Sequence, residues 1–169
     1  VFQPFTALEE NVAVGHINTL MDNDGIVRKT ILQFAHDDGL VNSFAYELYS
    51  LYSEKMGLSP VEVNEIPVDA WNRTYIRYSG EPFDFEIIPY YQVLSGEIPG
   101  EYFRDKIVLA GPTAVGIADD YYLTPLAPQV PMYGVEIHAN IIQQLMQQKF
   151  FQDVSLGVQL LLMLGMAVV

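Results

Sequence analysis

The stretch from residue 106 to residue 116, KIVLAGPTAVG, places the strongest constraint on the fold of this 169-residue chain. Residues 107–110 form an unbroken apolar run, which is typical of a strand covered on both faces in a parallel or mixed sheet. Gly111, Pro112 and Gly116 then turn the chain at the carboxyl end of that strand, the edge where open α/β sheets usually hold ligands. We therefore predict a central strand at 107–110 and a candidate site beside the turn that follows it.

These glycines do not make a nucleotide-binding loop. Such a loop needs a Lys and then a Ser or Thr after its second glycine, because these residues hold the phosphates and the magnesium ion. Ile117 and Ala118 occupy those two positions. We exclude nucleotide hydrolysis and attribute the glycines to the backbone freedom that a turn requires.

Neither a cofactor nor a metal ion is predicted. Asp22 and Asp24 precede Gly25 as in a calcium loop, but the glutamate expected six residues after that glycine is Ile31. The chain has no cysteine, which removes thiolate metal ligands and disulfides. Its 21 acidic residues outnumber its 8 basic residues, giving a net charge of -13. Nucleic acid is therefore excluded as a partner, since its affinity depends on Lys and Arg neutralising phosphates.

The C-terminal segment predicts the start of a transmembrane helix. Residues 154–169 carry no charge and are apolar at nearly every position from Leu160 onward. A helix of that length spans about 24 Å, short of a hydrocarbon core of roughly 30 Å. The alternative is an apolar terminal helix packed on the core. We expect a folded domain over residues 1–153, cut from a longer protein because no signal peptide begins at Val1.

The remaining periodicity predicts a layered α/β domain. Residues 11–17 and 27–34 resemble the strands of a hairpin around a turn at 22–25. Helical spacing predicts helices over residues 42–56 and 134–148. Short strand signals alternating with amphipathic helices are typical of a mixed or parallel central sheet flanked by helices.

Several polar side chains are expected at the end of the sheet that carries the glycine turn. Asp119 and Asp120 follow that turn, and Glu136 and His138 begin the last amphipathic helix. Paired carboxylates suit acid–base chemistry or cation binding, although they more often form a solvated loop or a cap. The candidate ligand-binding residues are Thr113, Asp119, Asp120, Thr124, Glu136 and His138, with Arg77 as a counter-charge.

Each candidate also has a structural interpretation. Glu136 in the first helical turn is favoured by the helix dipole and needs no ligand. His138 shares the apolar face of its helix, and residue 142, where a second metal ligand would stand, is isoleucine. Arg77 fits a solvated position at a strand edge. Glu136 and Asn140 share a face and are expected to meet a neighbouring loop.

Three ordered blocks of sequence resemble a known family. The blocks are Asp22-x-Asp24-Gly25-x-Val27-Arg28, residues 106–125 from KIVLAGPTA to Thr124-Pro125, and Gly134-Val135-Glu136-Ile137-His138-Ala139-Asn140. Their order and spacing resemble the second-class CHASE domain, a sensory extracellular domain associated with cyclases and histidine kinases. The doubled Asp119-Asp120 departs from the family's single acid at that place.

The resemblance implies an extracytoplasmic sensor of a bacterial cell-membrane receptor whose output is a cytoplasmic cyclase or kinase. The implied partners are an undefined small molecule or environmental signal, the membrane through the C-terminal helix, and weak pairing with a second copy. Two other classes stay open. One is a hydrolase using Asp119 or Asp120 with His138, which needs both groups in one open pocket, and the other is a structural dimerisation module.

Overall fold

The computed structural model describes residues 12–36, 39–113 and 120–167. Its helices are α1 (Phe44–Lys55), α2 (Tyr90–Leu94), α3 (Gly134–Gln147) and α4 (Leu156–Ala167), with 3₁₀ turns at Val63–Glu65 and Gly100–Phe103. Its strands are β1 (Lys29–Thr30), β2 (Gln33–His36), β3 (Gly39–Asn42), β4 (Thr74–Tyr75), β5 (Tyr121–Tyr122) and β6 (Met132–Tyr133). The prediction of a mixed α/β domain is confirmed at this level.

Helix α1 begins and ends where local chemistry requires. The Ser43 hydroxyl accepts a hydrogen bond from the Tyr46 N–H at 3.2 Å, which caps a helix start that would otherwise leave donors unpaired. Gly57 adopts a φ of 70° just after the helix, a conformation that glycine enters without steric cost. The helix predicted at residues 42–56 is therefore confirmed within two residues at each end.

Helix α3 confirms the prediction for residues 134–148. Gln148 leaves the helix with a φ of 51°, in the left-handed region that often ends helices. The buried face of α3 includes Ile137, Ile141 and Leu145, at the spacing expected for one side of a helix. This face packs against α1, so the two helices form the centre of the domain.

One apolar core joins the two helices to the small sheets. Its fully buried members include Leu145 on α3 and Met132 on β6, each at 1% exposure or less. Burying one such side chain contributes about 1.5–3 kcal/mol relative to exposure. The buried apolar residues are Val27, Leu32, Ala45, Tyr46, Tyr49, Ile66, Ile76, Met132, Ile137, Ile141, Ile142 and Leu145.

In the described residues the strands form three separate antiparallel pairs rather than one sheet. Strand β1 pairs with β4, β2 with β3, and β5 with β6. Isolated bridges link His16 to Ser43 and Ile26 to Leu123 in parallel. The predicted parallel or mixed central sheet is absent from this part of the chain, and the strand predicted at 27–34 is divided between β1 and β2.

The turn at residues 22–25 agrees with the sequence. The Gly25 N–H donates to the Asp22 carbonyl at 2.9 Å, and Gly25 has a φ of 80°. Arg28 closes the turn with ion pairs of 2.8 Å to Asp22 and 2.7 Å to Asp24. The aspartates thus stabilise a local turn, as predicted. The strand predicted at residues 11–17 is wrong for its described part, because residues 12–17 make only an isolated bridge at His16.

An ionic cluster fixes the β1–β4 pair. The Asp69 carboxylate, only 9% exposed, accepts from Lys29 Nζ at 3.0 Å and pairs with Arg73 at 2.8 Å. Burial alone raises the pKa of Asp69, but the hydrogen bonds from Arg73 and Lys29 outweigh it and hold that pKa well below its usual range. The carboxylate is therefore charged at neutral pH and ties β1 to the loop before β4.

The prediction of a central strand at 107–110 is wrong for this structure. Ile107 and Leu109 are half-buried against the core, whereas Val108 is 55% exposed, so the run is covered on one side only. None of its residues belongs to a strand pair among the described residues. An apolar run indicates that the segment is buried. Forming a strand also requires a second segment to pair with, and the run itself does not specify one.

Helix α4 stands apart from the core. All its described residues are exposed, including Leu161 at 70% and Leu164 at 64%. Within the described chain, no helix is both long enough and apolar enough to cross a membrane. The alternative of a terminal helix packed on the core is not what the structure shows for residues 156–167.

Candidate functional site

The start of α3 collects several of the predicted groups. The Gly134 N–H donates to the Asp120 carbonyl at 2.9 Å, and the Asp120 carboxylate lies so close that a Cβ on residue 134 would overlap it. Gly111 approaches Val135 closely enough that an added Cβ would lie 2.7 Å from the valine Cβ. Gly111 and Asp120 therefore both lie at this helix end, as the sequence predicted, although residues 107–110 form no strand among the described residues.

Asp120 occupies an electrostatically favourable position. The first N–H groups of a helix lack partners within the helix and carry the positive end of its dipole. A carboxylate against residue 134 faces that end. The local fold needs glycine at this position, because any side chain would expel the carboxylate.

Glu136 is committed to backbone contacts. It is 4% exposed, and its Oε1 accepts from the Phe83 N–H at 2.7 Å while its Oε2 accepts from the Tyr133 N–H at 3.2 Å. Phe83 has a φ of 73°, a rare conformation for a residue with a side chain. One carboxylate thus caps its own helix and holds a loop that the backbone alone disfavours.

Glu136 is the first of three buried polar residues that follow one face of α3. Asn140 accepts from the Ser79 N–H at 2.9 Å. Gln144 accepts from the Arg77 N–H at 2.7 Å and donates to the Tyr75 carbonyl at 2.9 Å. We call Glu136, Asn140 and Gln144 the polar row.

The polar row holds β4 and the segment after it against α3 by bonding to their backbone. Its members stand four residues apart, so they lie above one another on the helix. They bond to backbone groups of Tyr75 on β4, of Arg77 and Ser79 in the segment that follows it, and of Phe83 in the next loop. The expectation that Glu136 and Asn140 meet a neighbouring loop is confirmed.

The two threonines of the predicted set lie in different surroundings. Thr113 is exposed at the end of the glycine turn. Thr124 is completely buried, and its Oγ1 has no hydrogen-bond partner among the described residues. Asp119 lies outside the described residues, so only Asp120 represents the acidic pair here.

Arg77 lies away from the cluster. Its guanidinium donates to Gln147 Oε1 at 2.8 Å, in the last turn of α3. Residues 136 and 147 are separated by about 16 Å along a helix that rises 1.5 Å per residue. The structure therefore does not bring Arg77 to Asp120 or Glu136 as a counter-charge.

His138 faces the interior, as its helical position predicted. Its ring packs edge-on against Phe44 with centroids 5.3 Å apart, and its Nδ1 is buried without a partner in the described residues. Burial lowers the pKa of His138 below 6.5, an effect that the Asp120 charge opposes and the nearby His16 reinforces. The imidazole is thus held in its neutral form.

The cavity beside His138 is small. Its volume is about 10 Å³, roughly the space of one water molecule. Its lining includes Asn18, Thr19, Lys29 and Ile141. No hydrogen bond joins His138 to Asp120, so the hydrolase alternative lacks the open pocket with both groups that it requires.

A wide surface depression lies elsewhere, at the turn that precedes β1. Met21, Asn23, Arg28 and Arg73 are among the residues that line it. Both arginines already pair with aspartates. No group of three or more His, Asp or Glu side chains in the described part of the chain is arranged to hold a metal ion.

Two features of this region were not predicted from the sequence. His16 lies near His138, in a segment interpreted only as a strand, and its position depends on folding that no local pattern records. Gln144 completes the polar row, which the sequence does signal as polar residues at positions 136, 140 and 144 of an otherwise apolar face.

A comparison with models of known protein families identifies the family of this chain. The CHASE2 domain model matches residues 3–169, nearly the whole chain. The chain belongs to the CHASE2 family. The resemblance of the three sequence blocks is thereby confirmed. CHASE2 domains are sensory extracellular domains rather than catalytic ones, which fits a sensor. Neither the curated proteins nor the solved structures contain a match to this chain.

Proposed function

We propose that this CHASE2 domain is the extracytoplasmic signal-receiving module of a bacterial transmembrane receptor with a cytoplasmic cyclase or kinase output. The observation that carries the proposal is the family match over residues 3–169. The cavity beside His138 holds about one water molecule, so it offers the hydrolase alternative no room for a substrate.

We further propose that α4 is the beginning of a transmembrane helix. Its residues are apolar and exposed, whereas a helix of a soluble domain normally buries an apolar face. Spanning the hydrocarbon core takes about 20 apolar residues. The proposal therefore requires the helix to extend past Val169 in the receptor.

The contacts around α3 suggest how a signal at its start reaches α4. The polar row connects α3 to the segment that continues from β4. Tyr75 on β4 donates its hydroxyl to Asp153 Oδ1 at 2.9 Å, immediately before the apolar segment begins. A signal that favours one arrangement at Asp120 would shift the population of states at that junction.

The proposed signal-binding groups are those at the start of α3. Asp119 and Asp120 would hold the acidic segment in one of two arrangements, with Thr113 beside the glycine turn. Glu136, His138 and Thr124 are buried, so we assign them to supporting the segment rather than touching a ligand directly. The signal is a small molecule or an environmental change.

The test replaces Asp119 and Asp120 by Asn, one at a time, in the full receptor. We expect altered cyclase or kinase output with a nearly unchanged thermal midpoint of the domain. Glu65→Gln, an exposed acidic residue in the 3₁₀ turn, is the matched control and should leave output unchanged. If both variants lose stability in step with output, the aspartates are structural caps and the site assignment is wrong.

Topology is tested separately. Alkaline phosphatase fused after residue 153 of the full receptor should be active, because that enzyme folds correctly only outside the cytoplasm. An inactive fusion that is made in normal amounts would contradict the receptor proposal. Light scattering of a chain ending at residue 153 then measures the weak pairing that we expect between copies.

A further inference from the structure

The rings of His16 and His138 are partly buried, and they lie close enough for a charge on His16 to oppose one on His138. His16 is fixed through its backbone, since its N–H donates to the Asn42 carbonyl at 2.9 Å and its carbonyl accepts from the Phe44 N–H at 2.8 Å. Its ring lies at a tilt against Phe34, with centroids 4.9 Å apart, and the His138 ring packs edge-on against Phe44. Nδ1 and Nε2 of His16 and Nδ1 of His138 are buried with no partner in the described chain.

Unpaired buried nitrogens are uncommon, because a protein normally satisfies every polar atom that it removes from water. The arrangement is tolerable for a neutral ring but strongly opposes a charged one. Burial lowers the pKa of His16, and it lowers that of His138 as well.

The surroundings offer little compensation for a positive charge. Asp120 favours the protonated form of His138. Lys29 lines the same cavity and carries a positive charge, although its Nζ is paired with Asp69 at 3.0 Å. The charged or titratable groups that the structure places beside the two rings are Asp120, which also acts on Tyr122, and Lys29.

We propose that His16 and His138 form a proton-binding site through which this module responds to acidification. The inference rests on the proposed sensory function and names its signal as the proton. Protonation of both rings places two like charges near each other and near the start of α3, whose dipole is already positive there. The contact of residues 12–19 with α1 and α3 then weakens.

The direction with pH follows from the neutral state of the folded rings. The unfolded chain binds protons at the ordinary histidine value of about 6.5, whereas the folded chain resists them. Stability is complete above that pH and decreases as the pH falls below it. An acidic environment therefore opens this contact rather than closing it.

The first experiment measures proton binding directly in the full chain in detergent micelles. Ring NMR signals are assigned with His16→Gln and His138→Gln, and the wild-type rings are titrated. We expect both rings to titrate below about 6.5. The thermal midpoint should fall between about pH 7.5 and about pH 5.5. That fall should be lost in the double variant and kept in His36→Gln, whose histidine is exposed.

The second experiment measures output of the full receptor against external pH. A response that His16→Gln or His138→Gln abolishes and His36→Gln keeps supports the inference. Rings that titrate at or above 6.5, or a wild-type output insensitive to pH, overturn it. The phosphatase fusion does not depend on either histidine. It therefore distinguishes failure of the proposed receptor function from failure of the proton-binding inference alone.

Discussion

Gln144 gives a quantitative test of the polar row. Its side chain is 4% exposed and makes two hydrogen bonds to the backbone of one extended segment, at the Arg77 N–H and the Tyr75 carbonyl. Gln144→Ala removes both bonds at once. Gln147→Ala on the same helix is the matched control, because Gln147 is exposed and bonds only the Arg77 side chain.

The expected cost follows from the groups left behind. A buried backbone group without a partner costs about 1–3 kcal/mol. Two are left here, but Tyr75 and Arg77 are half-buried and admit some water, so we expect a total loss of about 2–4 kcal/mol. The control should stay within about 0.5 kcal/mol of wild type. Gln144→Leu keeps most of the side-chain volume and should still lose about 2 kcal/mol or more.

Urea unfolding followed by circular dichroism measures these differences, provided that the slope with denaturant is unchanged. A Gln144→Ala variant as stable as the Gln147→Ala control would refute the reasoning. If Gln144→Leu alone retains wild-type stability, side-chain volume rather than hydrogen bonding stabilises this contact.

Three further predictions concern single contacts. Asp69→Asn should lower stability at neutral pH and flatten the pH dependence below about 4, because the depressed pKa of Asp69 makes its stabilisation disappear as acid protonates it; thermal midpoints at several pH values check this, and an unaltered acid profile would argue against it. Gly134→Ala should destabilise the domain although alanine favours helices by about 1 kcal/mol, and Asp120→Ala should partly restore it; additive losses in the double variant would contradict the proposed overlap. Gly15→Ala should prevent normal folding, since its Cβ would enter the backbone at Phe44, whereas a native-like circular dichroism spectrum would show that this approach is not required.

Local patterns predicted the helices well. The caps and apolar spacing of α1 and α3 lie within each helix, so the sequence contains nearly everything that sets their ends. The turn at residues 22–25 was predictable for the same reason, because its aspartates and glycine act on their own neighbours.

Pairing between distant segments was not predictable in this way. The run at residues 107–110 has the composition of a buried strand, yet strand formation depends on a partner supplied from elsewhere in the chain. The approach of His16 to His138 likewise depends on how residues 12–19 meet α1. The convergence of Gly111 and Asp120 at the start of α3 was predicted. The separation of Arg77 from them was not, because the pattern that predicts a strand does not show which end of a helix that strand will contact.

The bonds of the polar row have a consequence for mutational tolerance. Gln144 bonds to the main chain at Tyr75 and Arg77, and Asn140 accepts from both the N–H and the hydroxyl of Ser79, at 2.9 Å and 3.1 Å. Most replacements at positions 77 and 79 therefore keep the main-chain bond, although those at 79 lose the hydroxyl bond, and proline is the exception because it has no N–H to donate. In a saturation library, many substitutions should be tolerated at positions 77 and 79 and few at positions 140 and 144. The side of the contact that contributes mainly backbone atoms can therefore vary in sequence, whereas the side that contributes side chains cannot.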